Sequence, residues 1–408
     1  MALAGCGAPE TPPAAVLRIA NWSGPANDAN FLALERAHRA RFEAAHPGVR
    51  LELEQIPGLG QFEPKVLLQI AAGNAPDVIQ LDASSAAVFI ENDALLDLTP
   101  FIEADESFRA ADYFDAVYDV TRRGAAQFGV PLDFTPMVLV YNRALFDEAG
   151  VPYPREDWNW SDFRQTAMAL SRPADGDRPR QFGFRFVNHM PFWVMWLWNN
   201  GADAVSPDGR AAEGYFDGPA ALEAMQFLVD LARVDRSMAT PLDEKIAGVD
   251  LFRSGRAAMH VTGHWELIEY RHDKLSIGVA PLPSDVGRSQ TVIYASSMAI
   301  LRDARQPRLA WEYLKFLTST QTQIERVASG VAISANRAAA EHYADDLIER
   351  AFLARLPEAR APTGARVERY SQCEELGREM FDDVFNGGLA LDEAARVAAR
   401  RMDALLRD

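Results

Sequence analysis

The sequence predicts an α/β protein built from two domains. Two observations carry this prediction: the length of 408 residues, and the alternation of strand-like and helix-like segments near the N-terminus. Strand patterns at 16–20, 49–53 and 76–81 alternate with helical patterns at 31–42 and 65–72. This order is typical of a mostly parallel sheet flanked by helices, which binds ligands at the carboxyl ends of its strands. At this length each half of the chain can bury its own core.

The segment 128–151 continues the pattern with a turn, a buried strand and a short helix. Gly129 and Pro131 indicate the turn, and the apolar, β-branched and aromatic residues at 137–141 favour a buried strand. Asn142 stands where a helix N-cap is expected, and Gly150 stands where that helix should end. We therefore predict a strand that leads directly into a capped helix.

Further elements follow from the same patterns of polar and apolar residues. Ser161 is the expected N-cap of a helix that runs to residue 170. In order, the next predicted segments are a strand at 182–186, an aromatic-rich segment at 189–198 and an amphipathic helix at 220–233. The aromatic-rich segment contains three tryptophans, of which one is expected to line a cleft and the others to pack in a core.

The charge of the chain excludes some classes of partner. The formal net charge is −17, and a surface this acidic disfavours nucleic acid, whose phosphates require a positive field. It also offers no basic patch to anionic lipid, whereas neutral and cationic ligands remain compatible. The longest aromatic-rich run, 192–198, is far shorter than the about 20 residues that a membrane-spanning helix needs.

The two cysteines, Cys6 and Cys373, do not form the paired motif of a zinc site, so no metal is expected. Leu3-Ala4-Gly5-Cys6 resembles a bacterial lipobox, in which the cysteine is acylated after signal cleavage. We interpret Met1 as lying inside a signal sequence, and residues 1–15 as the lipobox and a disordered tether. An accidental match near Met1 is the alternative. Lipidation at Cys6 would place the protein outside the cytoplasm, anchored to the membrane.

Several segments together resemble family 1 extracellular solute-binding proteins, the sugar-capturing subunits of ABC importers, which include the maltose-binding protein. The resemblance runs along nearly the whole chain, in the family's order and spacing. The segments that carry it are 42–49, 71–78, 96–100, 128–151, 251–265, 277–283 and 330–337. The strongest is 251–265, which ends in a glycine turn followed by Trp265. The family often has proline where this chain has Ser334.

The resemblance implies a fold of two lobes joined by a hinge, with a ligand held in the cleft between them. It implies lobe 1 at 16–128 plus 278–318, and lobe 2 at 129–277 plus 319–408. It also implies a monomer without a cofactor, which captures a sugar or oligosaccharide and delivers it to the permease of an ABC transporter. Closure of the lobes on the ligand would create the form that the permease recognises.

Sugars are bound by aromatic faces that pack on the C–H face of the ring and by polar groups that bond to the hydroxyls. Matching positions of the family suggest ligand contacts at Trp22, Asp82, Asp133, Phe134, Thr135, Trp193, Trp265, Tyr294 and Arg337. Three of these residues have alternative structural roles: Asp82 as a helix cap, Trp22 in packing at the rim of the cleft, and Trp193 in the core. His189 and His264 are expected to be structural.

Catalytic signatures such as G-x-S-x-G, H-E-x-x-H and the P-loop are absent from the sequence, so no catalytic residue is predicted. A glycosidase remains an alternative, with Asp82 and Asp133 as its carboxylate pair. Within the binding class, the alternative ligands are polyols, glycerol phosphates and sugar acids, for which Arg185, Arg337 and His189 would be the anion partners. The carboxylates Glu374 and Glu375 are adjacent in sequence and are expected to be solvated.

Overall fold

A computed structural model describes residues 15–23, 29–176, 179–330 and 332–407. The predicted lipidation site Cys6 and almost all of the predicted tether lie outside these described residues. In the part of the chain that is described, strands and helices alternate as expected of an α/β protein. No helix in that part is long and apolar enough to cross a membrane.

The strands belong to two large sheets and one small hairpin. They are β1 (Ala15–Ser23), β2 (Val49–Pro57), β3 (Val78–Asp82), β4 (Arg122–Arg123), β5 (Ala126–Gln127), β6 (Val130–Pro136), β7 (Val138–Asn142), β8 (Phe182–Arg185), β9 (Met238–Ala239), β10 (Ala257–Thr262), β11 (Ile277–Ala280), β12 (Thr291–Ile300), β13 (Ile333–Ser334) and β14 (Ala359–Arg360).

The helices flank the two large sheets. They are α1 (Ala29–Ala45), α2 (Leu59–Ala71), α3 (Ala86–Glu91), α4 (Thr99–Ala104), α5 (Asp115–Tyr118), α6 (Arg143–Ala149), α7 (Trp160–Ala169), α8 (Met190–Trp198), α9 (Pro219–Arg233), α10 (Pro241–Ala247), α11 (Leu267–His272), α12 (Pro307–Thr318), α13 (Thr320–Ala328), α14 (Arg337–Glu341), α15 (Leu347–Leu353), α16 (Tyr370–Asp382) and α17 (Leu391–Arg407).

The first sheet has the strand order β13-β6-β12-β3-β1-β2, with β14 beside β12. Strands β1, β2 and β3 run parallel, as their strand–helix alternation predicted. Strand β12 is antiparallel to both β3 and β6, so the complete sheet is mixed. The carboxyl end of β3, at Asp82, therefore lies beside the middle of β12.

The second sheet has the order β11-β7-β10-β8-β9. Strands β8, β9 and β10 are parallel neighbours, whereas β7 runs antiparallel to β10 and β11. Strand β7 follows β6 after a single residue, Met137. One extended segment, 130–142, therefore passes directly from the first sheet to the second.

The sheets divide the chain at different positions from the predicted lobes. Strand β6 pairs with β12 in the first sheet, although residue 129 was the expected start of lobe 2. Strand β11 pairs with β7 in the second sheet, and β13 and β14 lie in the first, so 319–360 is not part of lobe 2. These boundaries depend on which strands pair, and sequence motifs alone do not reveal the pairing.

The ends of two helices test the caps predicted from neighbouring residues in the sequence. The Asn142 side chain accepts hydrogen bonds from the N–H groups of Ala144 and Leu145, which confirms the predicted cap of α6, and Gly150 ends that helix with a φ of 65°. The predicted cap Ser161 is wrong. Helix α7 is capped two residues earlier by Asn159, whose side chain and that of Asp162 form a reciprocal capping box.

Buried side chains form a core in each lobe. Helix α8 supplies Trp193, Trp196 and Trp198 to the second core, all at most 2% exposed. The first core extends through Phe352 of α15 to Val140 of β7, because α15 packs against both β6 and β11. Helix α15 therefore backs the place where the chain crosses between the sheets.

Candidate ligand-binding cleft

Polar side chains line the first sheet where β3 ends. Ser296 of β12 is the register partner of both Asp82 and Asp133, and Asp133 is in turn the partner of Ser334. Neighbouring strands are about 4.8 Å apart, and directly paired residues point to the same face, so these side chains form one polar row. The carboxyl end of a parallel strand is the expected place for a ligand in such a fold.

Asp82 is 7% exposed and caps the short turn at 83–85, where its Oδ1 accepts a hydrogen bond of 2.8 Å from the N–H of Ser84. The structural role offered for Asp82 by the sequence is therefore observed. Burial raises the pKa of this carboxyl, against the lowering effect of its hydrogen bonds with Ser84.

Asp133 is engaged by a partner that the sequence did not suggest. Its Oδ2 lies 3.5 Å from Nη2 of Arg326, and its Oδ1 accepts a hydrogen bond from the hydroxyl of Ser296. Arg326 also pairs with Glu35 of α1. Burial raises the pKa of Asp133, and the arginine opposes this rise. The positive charge of Arg326 thus compensates two partly buried carboxylates, those of Asp133 and Glu35, at this end of the polar row.

Aromatic rings stand beside the polar row. Trp265 follows β10 in the turn at 264–266, and its ring centroid lies 5.6 Å from that of Tyr294 and 6.3 Å from that of Phe192. Trp22, near the end of β1, packs edge-on against Phe62 at 5.5 Å. All five rings except Phe62 are only partly buried, so they keep surface that a ligand can cover.

Thr135 stabilises the turn that carries Trp265. Its hydroxyl accepts a 2.9 Å hydrogen bond from the N–H of His264, the residue before Trp265. The His264 ring is 2.7 Å from Glu349 of α15, whose other oxygen accepts from Arg271 at 2.9 Å. Burial alone would raise the pKa of Glu349, but the hydrogen bond from His264 and the arginine leave it lowered. This network fixes the turn that carries Trp265.

Three of the proposed contact residues are not brought to this surface. Phe134 is 1% exposed in the first core, where its ring lies 5.3 Å from Phe114. Trp193 is fully buried in the second core, 4.9 Å from Phe381, because every residue of the apolar helix α8 except Phe192 is buried. Arg337 bonds to the carbonyl of Tyr113 and to Asp115.

The carboxylate of Glu374 was expected in solvent, and the structure places it elsewhere. Helix α16 buries Tyr370, Cys373 and Gly377, and Glu374 lies on the edge of that face with its Oε1 shielded from solvent. Burial, together with the charge of Asp82, raises its pKa to about 8. Apolar spacing along 370–381 is the sequence signal that could have revealed this. Glu375 is paired on the surface with Arg378 at 2.5 Å.

Tyr294 joins the two lobes at this point. Its pKa is raised first by burial and then by the negative charges of Glu374 and Asp82. Asp82 belongs to the first sheet, whereas α16 packs on α8 and α17 of the second lobe. The negative charges that raise the pKa of Tyr294 therefore come from both lobes, and the residues Trp22, Asp82, Trp265, Tyr294 and Glu374 are together named the cleft from here on.

The cationic side chains that the sequence offered to an anionic ligand are engaged elsewhere. Arg185 forms a bidentate pair with Glu244, with N–O distances of 2.5 and 2.7 Å, and lies 3.5 Å from Asp250. Burial lowers the pKa of His189, which favours its neutral form. In the described part of the chain, no group of three or more His, Cys, Asp or Glu residues could hold a metal ion.

Two α/β lobes with a polar and aromatic cleft between them are the architecture of a hinged binding protein. The family of bacterial extracellular solute-binding proteins matches residues 25–324 of this chain. The chain belongs to this family, which confirms the resemblance predicted from the sequence. Its extracytoplasmic character follows from the same membership.

Relatives and solved structures agree with this assignment. A protein of Brucella abortus (strain 2308), described as a binding protein, is 23% identical over 379 residues, which cover 90% of this chain and 88% of that protein. The ABC substrate-binding protein Lmo0181 of Listeria monocytogenes, solved with cycloalternan, is 22% identical with a TM-score of 0.83 and covers 96% and 99% of the two chains. The sugar-binding protein MalE of Xanthomonas citri is 21% identical with a TM-score of 0.81, covering 96% and 97%.

Proposed function

We propose that this protein captures a sugar or oligosaccharide in the cleft and delivers it to the permease of an ABC transporter. The observation that carries the proposal is the pairing of partly exposed rings, Trp265 and Tyr294, with the carboxylate of Asp82. Rings of this kind cover the apolar face of a sugar, and carboxylates accept hydrogen bonds from its hydroxyls. Two structures with the same fold are those of a cycloalternan complex and of a sugar-binding protein.

Within this proposal the contact residues are Trp22, Asp82, Asp133, Trp265 and Tyr294, with Thr135 holding the Trp265 turn in place. The direct passage from β6 to β7 would act as part of the hinge, since Met137 alone separates the two strands. A ligand that touches both Trp265 and Asp82 contacts both lobes. It would therefore favour the closed arrangement by its extra contacts there.

We further propose that Cys6 carries a lipid that anchors the protein to the outer face of the membrane. The lipobox-like sequence that ends at Cys6 and the extracytoplasmic family support this. A precursor with its natural leader should incorporate labelled fatty acid, and Cys6→Ser should abolish the incorporation. Equal labelling of both would contradict the anchor while leaving the binding function untouched.

A thermal-shift screen tests the binding function. The soluble chain should first be unfolded and refolded to remove any carried ligand, and then be mixed with neutral mono-, di- and oligosaccharides. A ligand at about a hundred times its Kd should add about 2.7 kcal/mol to the free energy of unfolding. Trp265→Ala should remove most of this shift, whereas Tyr215→Ala, which deletes an exposed ring outside the cleft, should retain it. No shift with any sugar would overturn the proposed ligand class.

A further inference from the structure

The turn that carries Trp265 follows a strand of the second lobe but makes polar contacts with the first. Strand β10, which ends at Thr262, lies in the second sheet. The N–H of His264 donates to the hydroxyl of Thr135, 2.9 Å away on strand β6 of the first sheet. The His264 side chain contacts α15, which lies in the part of the chain that returns to the first lobe. The turn is therefore held across the boundary between the lobes.

Glu349 of α15 makes the central contact. Its side chain is 9% exposed, and its Oε2 lies 2.7 Å from Nε2 of His264, whose side chain is 1% exposed. Its Oε1 accepts a hydrogen bond of 2.9 Å from Arg271, which lies on α11, the helix that follows the turn. Phe352, on the same helix as Glu349, packs edge-on against the His264 ring with centroids 5.3 Å apart. One carboxylate thus holds the segment after β10 at two points.

The orientation of His264 depends on this contact. The other nitrogen of its ring, Nδ1, is buried and has no hydrogen-bond partner among the described residues. Glu349 therefore supplies the hydrogen bond that orients the imidazole, and leaving a buried polar group unpaired is unfavourable. Because Trp265 is the next residue in the chain, a displacement of His264 moves the backbone from which the Trp265 ring extends.

The Trp265 ring itself stands between rings of both lobes. Its centroid lies 5.6 Å from that of Tyr294 on β12 and 6.3 Å from that of Phe192 on α8, and both contacts are edge-on. We propose that Glu349, acting through His264, is a positioning residue that fixes the Trp265 ring to the first lobe for sugar binding. This inference rests on the proposed function and adds to it a residue outside the cleft.

Fluorine NMR of the refolded, ligand-free protein tests the positioning without any sugar. The chain has eight tryptophans, so 5-fluorotryptophan gives a resonance for each, and Trp265→Phe identifies that of Trp265. Glu349→Ala should shift or broaden the Trp265 resonance and leave the others in place. The control Glu358→Gln alters another buried carboxylate, whose side chain is 7% exposed and pairs with Arg355. It should leave the Trp265 resonance unchanged.

Calorimetry tests the effect on binding, with the neutral sugar that gives the largest shift in the thermal screen as the probe. Glu349→Ala should weaken binding about five- to tenfold, because the stacking ring is no longer held in place. In a Trp265→Ala background the same substitution should change the affinity less than about twofold, since its effect passes through the ring. His264→Asn, whose side chain is too short to reach Glu349, should reproduce both results and replaces Glu349→Ala if that variant does not fold.

The outcomes separate this inference from the function on which it rests. An unmoved Trp265 resonance in both Glu349→Ala and His264→Asn would overturn the inference, and so would a change in all eight resonances, which indicates a general loss of packing. Equal losses of affinity with and without the Trp265 ring would also contradict it, because Glu349 would then act by another route. If no neutral sugar binds but the Trp265 resonance moves as expected, sugar capture is wrong and the positioning of the ring stands.

Discussion

A carboxyl group buried beside a second carboxylate holds its proton more tightly than a solvated one, and Glu374 is in that position. The charge of Asp82 acts on Glu374, Glu374 acts in turn on Tyr294 and Tyr370, and none of these groups supplies a positive charge. The resulting pKa of about 8 lies well above the usual value of 4.5. Folding therefore opposes the ionisation of this group, and the opposition depends on pH.

We expect the free energy of unfolding of the empty protein to contain a component that falls between about pH 5 and about pH 8. In this window the unfolded chain has released the Glu374 proton and the folded chain retains it, so a rise in pH favours unfolding. One pKa unit corresponds to about 1.4 kcal/mol. From the low to the high end of the window, the free energy of unfolding of Glu374→Gln should therefore rise by up to a few kcal/mol relative to that of wild type. Urea unfolding at both ends of the window measures this. Equal pH slopes for Glu374→Gln and wild type would contradict it, and Glu375→Gln serves as the control.

The turn that carries Trp265 shows how an element holds a residue in place. Gly263 lies directly before the turn, and a Cβ atom added there would lie 2.2 Å from the Trp265 ring. The ring therefore occupies the space that any other residue at position 263 would need. From the other side, the His264–Glu349 pair ties the same turn to α15.

Gly263→Ala should displace the Trp265 ring and weaken sugar binding by about tenfold or more, because stacking on an aromatic ring contributes on the order of 1 kcal/mol or more. The secondary structure should persist, since the clash is with a side chain at the cleft. Calorimetry and circular dichroism together measure the two effects. Gly387→Ala is the matched control, because a Cβ there meets no atom within 4 Å. Unchanged affinity in Gly263→Ala would contradict the proposed role of the turn.

Elements with strong local signals could be predicted from the sequence. The cap at Asn142 and the end at Gly150 depend on neighbouring residues alone, and both were found. Ser161 was misplaced because the competing capping box of Asn159 lies two residues away. The sequence could not show whether Trp193 lies in the core or in the cleft, because its burial depends on Phe381, which is distant in the chain. Glu374 was missed for a similar reason: its environment is created by Asp82, which belongs to the other lobe.

At the scale of the molecule, the lobe boundaries depend on which strands pair, and this is long-range information. The segment 319–360 returns to the first lobe because β13 pairs with β6 and β14 with β12. Helix α15 then packs behind the crossing strands and connects to the Trp265 turn through Glu349. The first core thus continues past the passage from β6 to β7, so packed side chains rather than a free linker accompany the chain where it crosses between the sheets.

We expect ligand binding to close the lobes and to lower the radius of gyration of the protein. The physical reason is that a ligand between Trp265 and Asp82 gains contacts to both lobes only when they approach, and this differential affinity selects the closed form. Small-angle X-ray scattering of the refolded, ligand-free protein and of its complex with the best sugar from the screen measures the change. At about pH 9, where wild-type Glu374 has lost its proton, Asp82→Asn,Glu374→Gln should be more compact than wild type when empty, because it lacks the repulsion between these two carboxylates. If wild type contracts on binding while the empty variant is no more compact than empty wild type, these carboxylates do not hold the empty lobes apart.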